Sequence, residues 1–233
     1  MKRSDINNEI QLALDVFEAH RFYLPKWAAW SPENWEHCGP EVAQIKACML
    51  GWSVTDFDRD NFREQGFVTF IERNGIVDEM REFAQRHSVQ DKAYGERLGF
   101  IQKRQATAML KHNISTKDIV NRGGGDLVVQ IFLSTPDDEL DEHNRIPTCI
   151  NGIAYNIKAG GISRLAPGDG ITIHAGVFHK FWAEKAGCIV GEIYTSSPKK
   201  NEIFLLEPGE WYNRIEEDED PLFLLNHEYP EFR

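Results

Sequence analysis

The feature that most limits the possible folds of this chain is a series of short β-prone segments that begins at residue 66. The segments are rich in valine, isoleucine, phenylalanine and threonine, which favour strands, and clusters of glycine, proline, asparagine and aspartate separate them. They cover residues 66–73, 99–110, 126–134, 150–158, 171–173, 178–183, 188–195 and 203–206. So many short strands predict an all-β fold, either a sandwich or a barrel.

The first part of the chain, residues 1–52, has a different pattern that predicts helices. Ser4 is placed to cap a helix over residues 5–20, whose apolar side chains recur at helical spacing. A later helix is expected to end at Gly51, which suits a left-handed backbone. Helices this short cannot form a core of their own. We therefore expect one domain over residues 1–233, with a helical N-terminal segment packed on a barrel.

The charge of the chain argues against nucleic acid and membranes as partners. There are 26 lysines and arginines against 37 aspartates and glutamates, and the net charge of −11 repels phosphate backbones and anionic lipid. No window contains the run of about 18 apolar residues that a membrane span needs, and the start has no uninterrupted apolar stretch. The four cysteines form no CxxC pair and are expected to be buried free thiols. A cytoplasmic protein is expected.

The most informative stretch runs from Pro167 to Trp182, with the sequence PGDGITIHAGVFHKFW. A tight Pro-Gly-Asp turn precedes a short strand, and Gly176 opens a second turn before a strand that directs His179 toward the mouth of a small barrel. The pattern resembles the second motif of cupins. The alternative is an ordinary hairpin with a histidine in its core, but a hairpin does not explain the other residues of the pattern.

Further segments extend this resemblance over nearly the whole chain. They are LGW at 50–52, VTDF at 54–57, RNG at 73–75, DIVNRGGG at 118–125, FWAE at 181–184 and NHEY at 226–229. Together they resemble the D-lyxose isomerase family of cupins. The resemblance implies a cupin-type β-barrel (jelly roll), a homodimer and a manganese-like divalent ion. It also implies interconversion of an aldose and a ketose, chiefly D-lyxose and D-xylulose and sometimes D-mannose and D-fructose.

In that family, two histidines and a glutamate from the first motif and one histidine from the second hold the metal. By resemblance, His112 corresponds to the second histidine of the pair and His179 to the histidine of the second motif. Leu110 and Lys117 replace the other histidine and the glutamate. Loss of a residue that only hydrogen-bonds to a metal ligand already lowers metal affinity about 10- to 100-fold. The ammonium of a lysine also repels a cation. We expect the manganese site to be weak or absent.

The resemblance also assigns candidate catalytic residues. Glu192 corresponds to a glutamate that lies near the substrate in the family and can act as the proton-transfer base. Aldose-ketose exchange needs such a carboxylate and an electrophile that stabilises the enediol oxygen. Lys117 is the candidate electrophile, either as an ammonium in place of the ion or through a transient imine with the sugar carbonyl. The alternatives are a Glu192 that faces solvent and a Lys117 that points out of the barrel mouth.

Two other features have open interpretations. His174, in the turn before the last motif strand, is a candidate replacement ligand beside His112 and His179. Arg122 is followed by three glycines, and glycine lets backbone amides approach a phosphate. No P-loop lysine and serine follow, so a turn between barrel strands is the favoured interpretation.

These observations leave two hypotheses for function. The first is a sugar isomerase of the D-lyxose isomerase type with a weakened or altered metal site. The second is a catalytically inactive sugar-binding or regulatory cupin that has lost the metal. The replacements at Leu110 and Lys117 favour the second hypothesis, whereas Glu192 and the extent of the resemblance favour the first. The expected partner is a small sugar, pentose or hexose, in both.

Overall fold

The computed structural model describes residues 1–196, 202–212 and 214–231. Its α-helices are α1 (Arg3–Ala19), α2 (Pro32–Glu36), α3 (Ala43–Ala47) and α4 (Arg81–Arg86). Its strands are β1 (Gly51–Thr55), β2 (Phe67–Arg73), β3 (Tyr94–Ile101), β4 (Leu110–His112), β5 (Lys117–Ser134), β6 (Leu140–Asp141), β7 (Ile146–Ile150), β8 (Ile153–Ile157), β9 (Ile162–Leu165), β10 (Gly170–Ile173), β11 (Val177–Thr195) and β12 (Ile203–Leu205). None of the helices formed by these residues is long and apolar enough to cross a membrane.

The strands form one antiparallel sheet around an apolar interior, which confirms the predicted all-β fold. Its main path is β1-β2-β3-β11-β5-β10-β7-β8, and β4, β6, β9 and β12 pair at the sides of this path. Within the described residues β1 and β8 end the path without pairing to each other, so hydrogen bonds do not close the barrel there. The interior is filled by buried side chains from both halves of the path, including Ile101, Ile119, Leu127, Val129, Ile171 and Val190.

Two strands, β5 and β11, are much longer than the sequence predicts and form the middle of the sheet. The segments 178–183 and 188–195 belong to one strand, β11, which is bulged between Glu184 and Cys188 instead of being broken by a turn. Conversely, the single strand predicted over 99–110 is two strands, β3 and β4, with an irregular connection between them. This split matters for function because it lets β4 pair beside β11.

The turn predicted at Arg122 and its glycines is wrong, because this stretch is a bulge inside β5. The buried Asn121 side chain makes three hydrogen bonds to the backbone of this bulge and of the neighbouring strand β9. Its amide nitrogen donates to the carbonyl oxygens of Gly125 and Leu165, both at 2.8 Å, and its carbonyl oxygen accepts from the N–H of Gly123 at 3.0 Å. Arg122 itself is exposed on the outer face of the strand.

Helix α1 packs against the outer face of the sheet with its apolar side. Its buried apolar residues are Ile6, Ile10, Ala13 and Phe17. The ring of Phe17 is stacked on that of Trp52 in β1, with centroids 6.5 Å apart. The predicted helix is confirmed, but Ser4 is not its cap. The helix begins at Arg3, and the hydroxyl of Ser4 instead donates to a carboxylate oxygen of Asp218 at 2.7 Å.

Gly51 begins strand β1 and does not end a helix, so the predicted helical segment 1–52 is helical only as far as α3. Its φ of +113° favours glycine. A Cβ atom here would lie 2.0 Å from the hydroxyl oxygen of Tyr229, so the position also lacks room for a side chain. The chain thus enters the sheet at a point that contacts its C-terminal part.

The four cysteines are free thiols, as expected. Cys48 and Cys188 are buried, whereas Cys38 and Cys149 are half-buried. The expectation of burial is therefore correct for two of them and wrong for the other two.

Candidate functional site

A cavity of about 1970 Å³ lies between the sheet and the C-terminal part of the chain. On the sheet side it is lined by Arg97, His112 and Lys117, together with Tyr194 near the end of β11. The facing wall contains the polar and aromatic side chains Glu202, Glu207, Glu210, Trp211, Tyr212 and His227. A cavity of this size, with charged groups converging at one side, has room for a sugar.

Lys117, Glu192 and Arg97 form a buried cluster of charges beside this cavity. The register of β3, β11 and β5 places Arg97 opposite Glu192, and Lys117 opposite Tyr194 two residues further along β11. Residues two apart on a strand share a face, so the charged side chains meet inside the sheet. Nζ of Lys117 lies 3.0 Å from Oε1 of Glu192, and Arg97 binds the other carboxylate oxygen.

The two alternatives that placed these side chains in solvent are wrong. The side chains of Lys117 and Glu192 are only 2% and 1% exposed. Lys117 and Arg97 line the cavity, whereas Glu192 is not among the lining residues. The carboxylate therefore lies directly behind two cations that face the cavity.

Burial and charge together set the protonation of this cluster. Burial raises the pKa of Glu192, but the charges of Arg97 and Lys117 outweigh it and hold the pKa well below the ordinary value of 4.5. Burial lowers the pKa of Lys117 to about 8, and the charge of Glu192 opposes that shift. Near neutral pH Glu192 is a carboxylate and Lys117 is mainly an ammonium.

His112 and His179 lie next to each other, with stacked rings whose centroids are 5.7 Å apart. Burial and then the charge of Lys117 lower the pKa of His112 to about 4 and that of His179 well below 6.5, so both rings are neutral near pH 7. Nδ1 of His179 is 3.1 Å from the carbonyl oxygen of Val177. Neither ring nitrogen of His112 has a hydrogen-bond partner in the described part of the chain. Because His112 lines the cavity, these nitrogens can bind a ligand's hydroxyl groups.

Glu202 brings another carboxylate to the cavity. It precedes β12, which pairs with β4 beside His112. Its oxygens accept hydrogen bonds from the N–H groups of Ser115 at 2.6 Å and Ile114 at 3.1 Å, and Oε1 lies 3.7 Å from Nδ1 of His112. Burial raises the pKa of Glu202, but the adjacent imidazole and the N–H of Ser115 outweigh it and lower the pKa to about 2. Glu202 is thus a fixed carboxylate beside His112.

The four positions that the resemblance assigns to a divalent metal do not fit manganese in this chain. Leu110 lies opposite His179 in the pairing of β4 with β11, so an aliphatic side chain stands where an imidazole is needed. Lys117 brings an ammonium where a carboxylate is needed. Across residues 1–196, 202–212 and 214–231, no group of three or more His, Cys, Asp or Glu side chains is arranged to hold an ion. Divalent ions of this class need several such donors.

Other candidates from the sequence lie outside the cavity. His174 is exposed in the turn between β10 and β11, so its proposed role as a replacement ligand beside His112 and His179 is wrong. Arg122 is on the outer face of β5, whereas Lys117 is buried on the inner face. The side chain of Arg122 packs over Gly191 on the neighbouring strand β11, which gives Arg122 a structural contact.

Sequence reasoning missed two charged residues of the site, Arg97 and Glu202. Arg97 has a weak signal, because it is a charged residue within an otherwise apolar strand end, RLGFI. Glu202 has no local signal, since it reaches the cavity only through the pairing of β12 with β4.

Solved structures of two L-ribose isomerases have a similar fold. L-ribose isomerase of Cellulomonas parahominis matches with a TM-score of 0.57 and 16% identity, covering 93% of this chain and 98% of that chain. L-ribose isomerase of Geodermatophilus obscurus matches with a TM-score of 0.56 and 16% identity, with the same coverage. At this level of identity the similarity establishes the fold alone. The fold class is therefore the expected cupin-type one, with an N-terminal helix on its sheet.

Sequence comparisons are more specific. The family model described as D-lyxose isomerase matches residues 1–229. The D-lyxose/D-mannose isomerase of Escherichia coli O157:H7 is 34% identical over 239 residues, covering 100% of both chains, and that of Serratia proteamaculans is 33% identical over 235 residues, covering 100% of this chain and 99% of its own. This chain belongs to the D-lyxose isomerase family. The expectation of a sugar isomerase of this type is thus confirmed, and nothing in the comparisons favours the inactive binding protein.

Proposed function

We propose that this protein interconverts an aldose and a ketose, with D-lyxose and D-xylulose or D-mannose and D-fructose as the pairs to test. The observation that carries the proposal is the full-length similarity to the two D-lyxose/D-mannose isomerases. The cavity supports it, because neutral, cationic and anionic polar groups converge there within reach of a small polyhydroxylated ligand.

The chemistry of this reaction suits the charged cluster. One hydrogen moves from C2 to C1 of the open-chain sugar, and the O2 proton moves to O1, so a base and an electrophile must lie side by side. We assign Glu192 as the base that takes the C2 proton. Its support is the position of Oε1, 3.0 Å from the ammonium of Lys117. His112, whose two ring nitrogens have no hydrogen-bond partner among the described residues, is assigned to bind a sugar hydroxyl.

We also propose that the protein holds no tightly bound divalent metal. Support comes from Leu110 and Lys117, which replace a neutral and an anionic donor. Only His112 and His179 remain of the family's ligand positions, and a pair of imidazoles alone binds a divalent ion much more weakly than four ligands do.

The experiment is an assay of ketose formation from D-lyxose and D-mannose, run with chelator and with added manganese. Ketose is expected in both conditions. Glu192→Gln is expected to lower kcat by about 10²-fold or more, since the base is lost. Glu184→Gln is the matched control, because Glu184 is a half-buried glutamate on the same strand that pairs with Arg164 and does not line the cavity. A folded protein that binds D-lyxose but forms no ketose in either condition would establish the inactive sugar-binding cupin instead.

For the assembly, we propose one cupin domain over residues 1–233 that forms a homodimer in the cytoplasm. The edge strand β8 supports the dimer, because Ile153 and Tyr155 are 60% and 47% exposed on it. The four free thiols suit a reducing compartment. Light scattering after size-exclusion chromatography is expected to give twice the chain mass, and Ile153→Lys to shift it toward the monomer. A monomeric wild-type protein would contradict the dimer.

A further inference from the structure

Lys117 places a positive charge at one of the positions that the resemblance assigns to metal ligands. In the family pattern given by the resemblance, three histidines and one glutamate hold a divalent ion there. In this chain Leu110 brings no ligand atom, and Lys117 brings a cationic side chain to the position of the glutamate. Because Lys117 lines the cavity, this positive charge lies within reach of a ligand.

The geometry of Lys117 fits a reacting group better than a structural one. Lys117 lines the cavity, its Nζ lies 3.0 Å from Oε1 of Glu192, and its side chain is only 2% exposed. Arg97 already binds the second oxygen of the same carboxylate, so Glu192 keeps a cationic partner if Lys117 moves. A lysine side chain has rotatable bonds that let its ammonium exchange one oxygen partner for another.

We infer that the ammonium of Lys117 serves as the electrophile of the isomerisation in place of a metal ion, and that it uncovers Glu192 as it moves to the sugar. This inference rests on the proposed isomerase activity. The ammonium leaves Oε1 of Glu192 and binds O1 of the open-chain aldose. Oε1 takes the proton from C2, the C–H electron pair forms the C1=C2 bond, and the carbonyl π pair moves to O1. The proton returns to C1, and the O2 proton passes to O1, which completes the ketose.

An imine on Lys117 is the other role open to this side chain, and the chemistry of release argues against it. A neutral amine that condenses with C1 expels water and forms a C1=N bond. The proton shift from C2 to C1 then leaves a C1–N single bond next to a C2 ketone. Water does not cleave that bond, so the sugar stays attached to the lysine. Turnover therefore requires Lys117 to act through its charge and hydrogen bonds, without a covalent bond.

The test uses two ligands on the full-length, chelator-treated protein. A five-carbon aldonohydroxamate mimics the anionic enediolate, and a pentitol mimics the uncharged open-chain sugar. Calorimetry is expected to show that Lys117→Met weakens hydroxamate binding about 10- to 100-fold, the range for one hydrogen bond to a charged group, and changes pentitol binding less than about threefold. Lys117→Arg, which keeps the charge, is expected to restore part of the hydroxamate affinity.

Lys111→Met is the matched control. Lys111 is a buried lysine on strand β4, but its ammonium binds Ser134 and Asp138, and Lys111 is not among the residues that line the cavity. Both ligands are expected to bind this variant as they bind the wild type. If Lys117→Met does not fold, as judged by circular dichroism, Lys117→Gln takes its place in the comparison.

The outcomes separate this inference from the proposed function. Equal hydroxamate binding by the wild type and Lys117→Met, or a divalent ion that remains at one per chain after dialysis, overturns the role of Lys117. Ketose formation that persists in Lys117→Met overturns it too, while leaving the isomerase activity intact. If the wild type forms no ketose, the proposed function fails and the role of Lys117 in the isomerisation fails with it, whereas ketose formation together with selective loss of hydroxamate binding in Lys117→Met supports both.

Discussion

Lys117 and Glu192 form an ion pair in which both side chains are almost completely removed from solvent. With Arg97 on the other oxygen, one carboxylate holds two cations inside the sheet. Each charge is costly to bury alone, so the cluster is stable only as a unit. The carboxylate is the member that the other two cannot replace.

The first prediction follows from this dependence. Glu192→Gln leaves Arg97 and Lys117 as two buried like charges and is expected to lower the free energy of unfolding by about 3–5 kcal/mol, as when a buried pair loses one partner. Lys117→Met is expected to lower it less, because Arg97 still binds Glu192. Urea unfolding followed by circular dichroism measures both. A loss in Glu192→Gln below that in the half-buried control Glu184→Gln would contradict the cluster.

The pH dependence of stability gives a second prediction. The pKa of Glu192 is held well below 4.5 in the folded chain, so the unfolded chain binds this proton more readily. Its stabilising contribution is therefore fully present above about pH 4.5 and is lost as the pH falls below that value. Urea unfolding between about pH 6 and pH 3.5 is expected to show a steeper loss in the wild type than in Glu192→Gln. Equal slopes would mean that another carboxylate controls acid unfolding.

The third prediction concerns the bulge in β5. Asn121 is fully buried and makes three hydrogen bonds to backbone groups. Asn121→Ala is expected to lower the free energy of unfolding by about 3 kcal/mol, roughly 1 kcal/mol for each hydrogen bond. Asn156→Ala, on the exposed strand β8, is the control and is expected to stay within about 0.5 kcal/mol of the wild type. Similar stabilities for the two variants would show that water molecules can replace the hydrogen bonds of Asn121 to the backbone of the bulge.

Sequence patterns predicted the architecture because strand propensity and turn residues act locally. The segments from residue 66 onward and the motif around His179 were enough for an all-β, cupin-type fold. Strand continuity was harder to predict. The glycines after Arg122 suggested a turn, but Asn121 supplies hydrogen bonds from inside the sheet that keep β5 continuous. Ser4 failed as a cap because Asp218, more than 200 residues away in sequence, competes for its hydroxyl.

The site was predictable where short motifs carry the chemistry, and not where strand pairing between distant segments adds further residues. His112, His179, Lys117 and Glu192 follow from motif positions, and all four are buried around the same point. Arg97 and Glu202 reach that point through strand pairing between distant parts of the chain. The burial of Lys117 beside Glu192 also depends on the register of β5 with β11, which no short motif encodes.

The fourth prediction concerns the thiols. Cys38 and Cys149 are half-buried, whereas Cys48 and Cys188 are buried, and burial raises the pKa of Cys188 to about 11. Alkylation of the native protein at about pH 8, read by mass spectrometry, is expected to modify only Cys38 and Cys149, because buried thiols are inert. All four cysteines are expected to react in denaturant. Modification of Cys188 in the native protein at the rate of Cys149 would mean that β11 opens locally.

The last prediction restores the lost ligands. Leu110→His places an imidazole opposite His179, and Lys117→Glu replaces the ammonium with a carboxylate. Together with His112 and His179, these two substitutions give the double variant four metal ligands. Each single variant leaves at most three, and Leu110→His alone also keeps the opposing charge. Calorimetry is therefore expected to show manganese binding in the double variant that exceeds the sum of the single effects. Without metal, burial of the new imidazole is expected to cost about 1–3 kcal/mol of stability, which bound manganese offsets. A folded double variant that binds no manganese would mean that the pocket has diverged beyond Leu110 and Lys117.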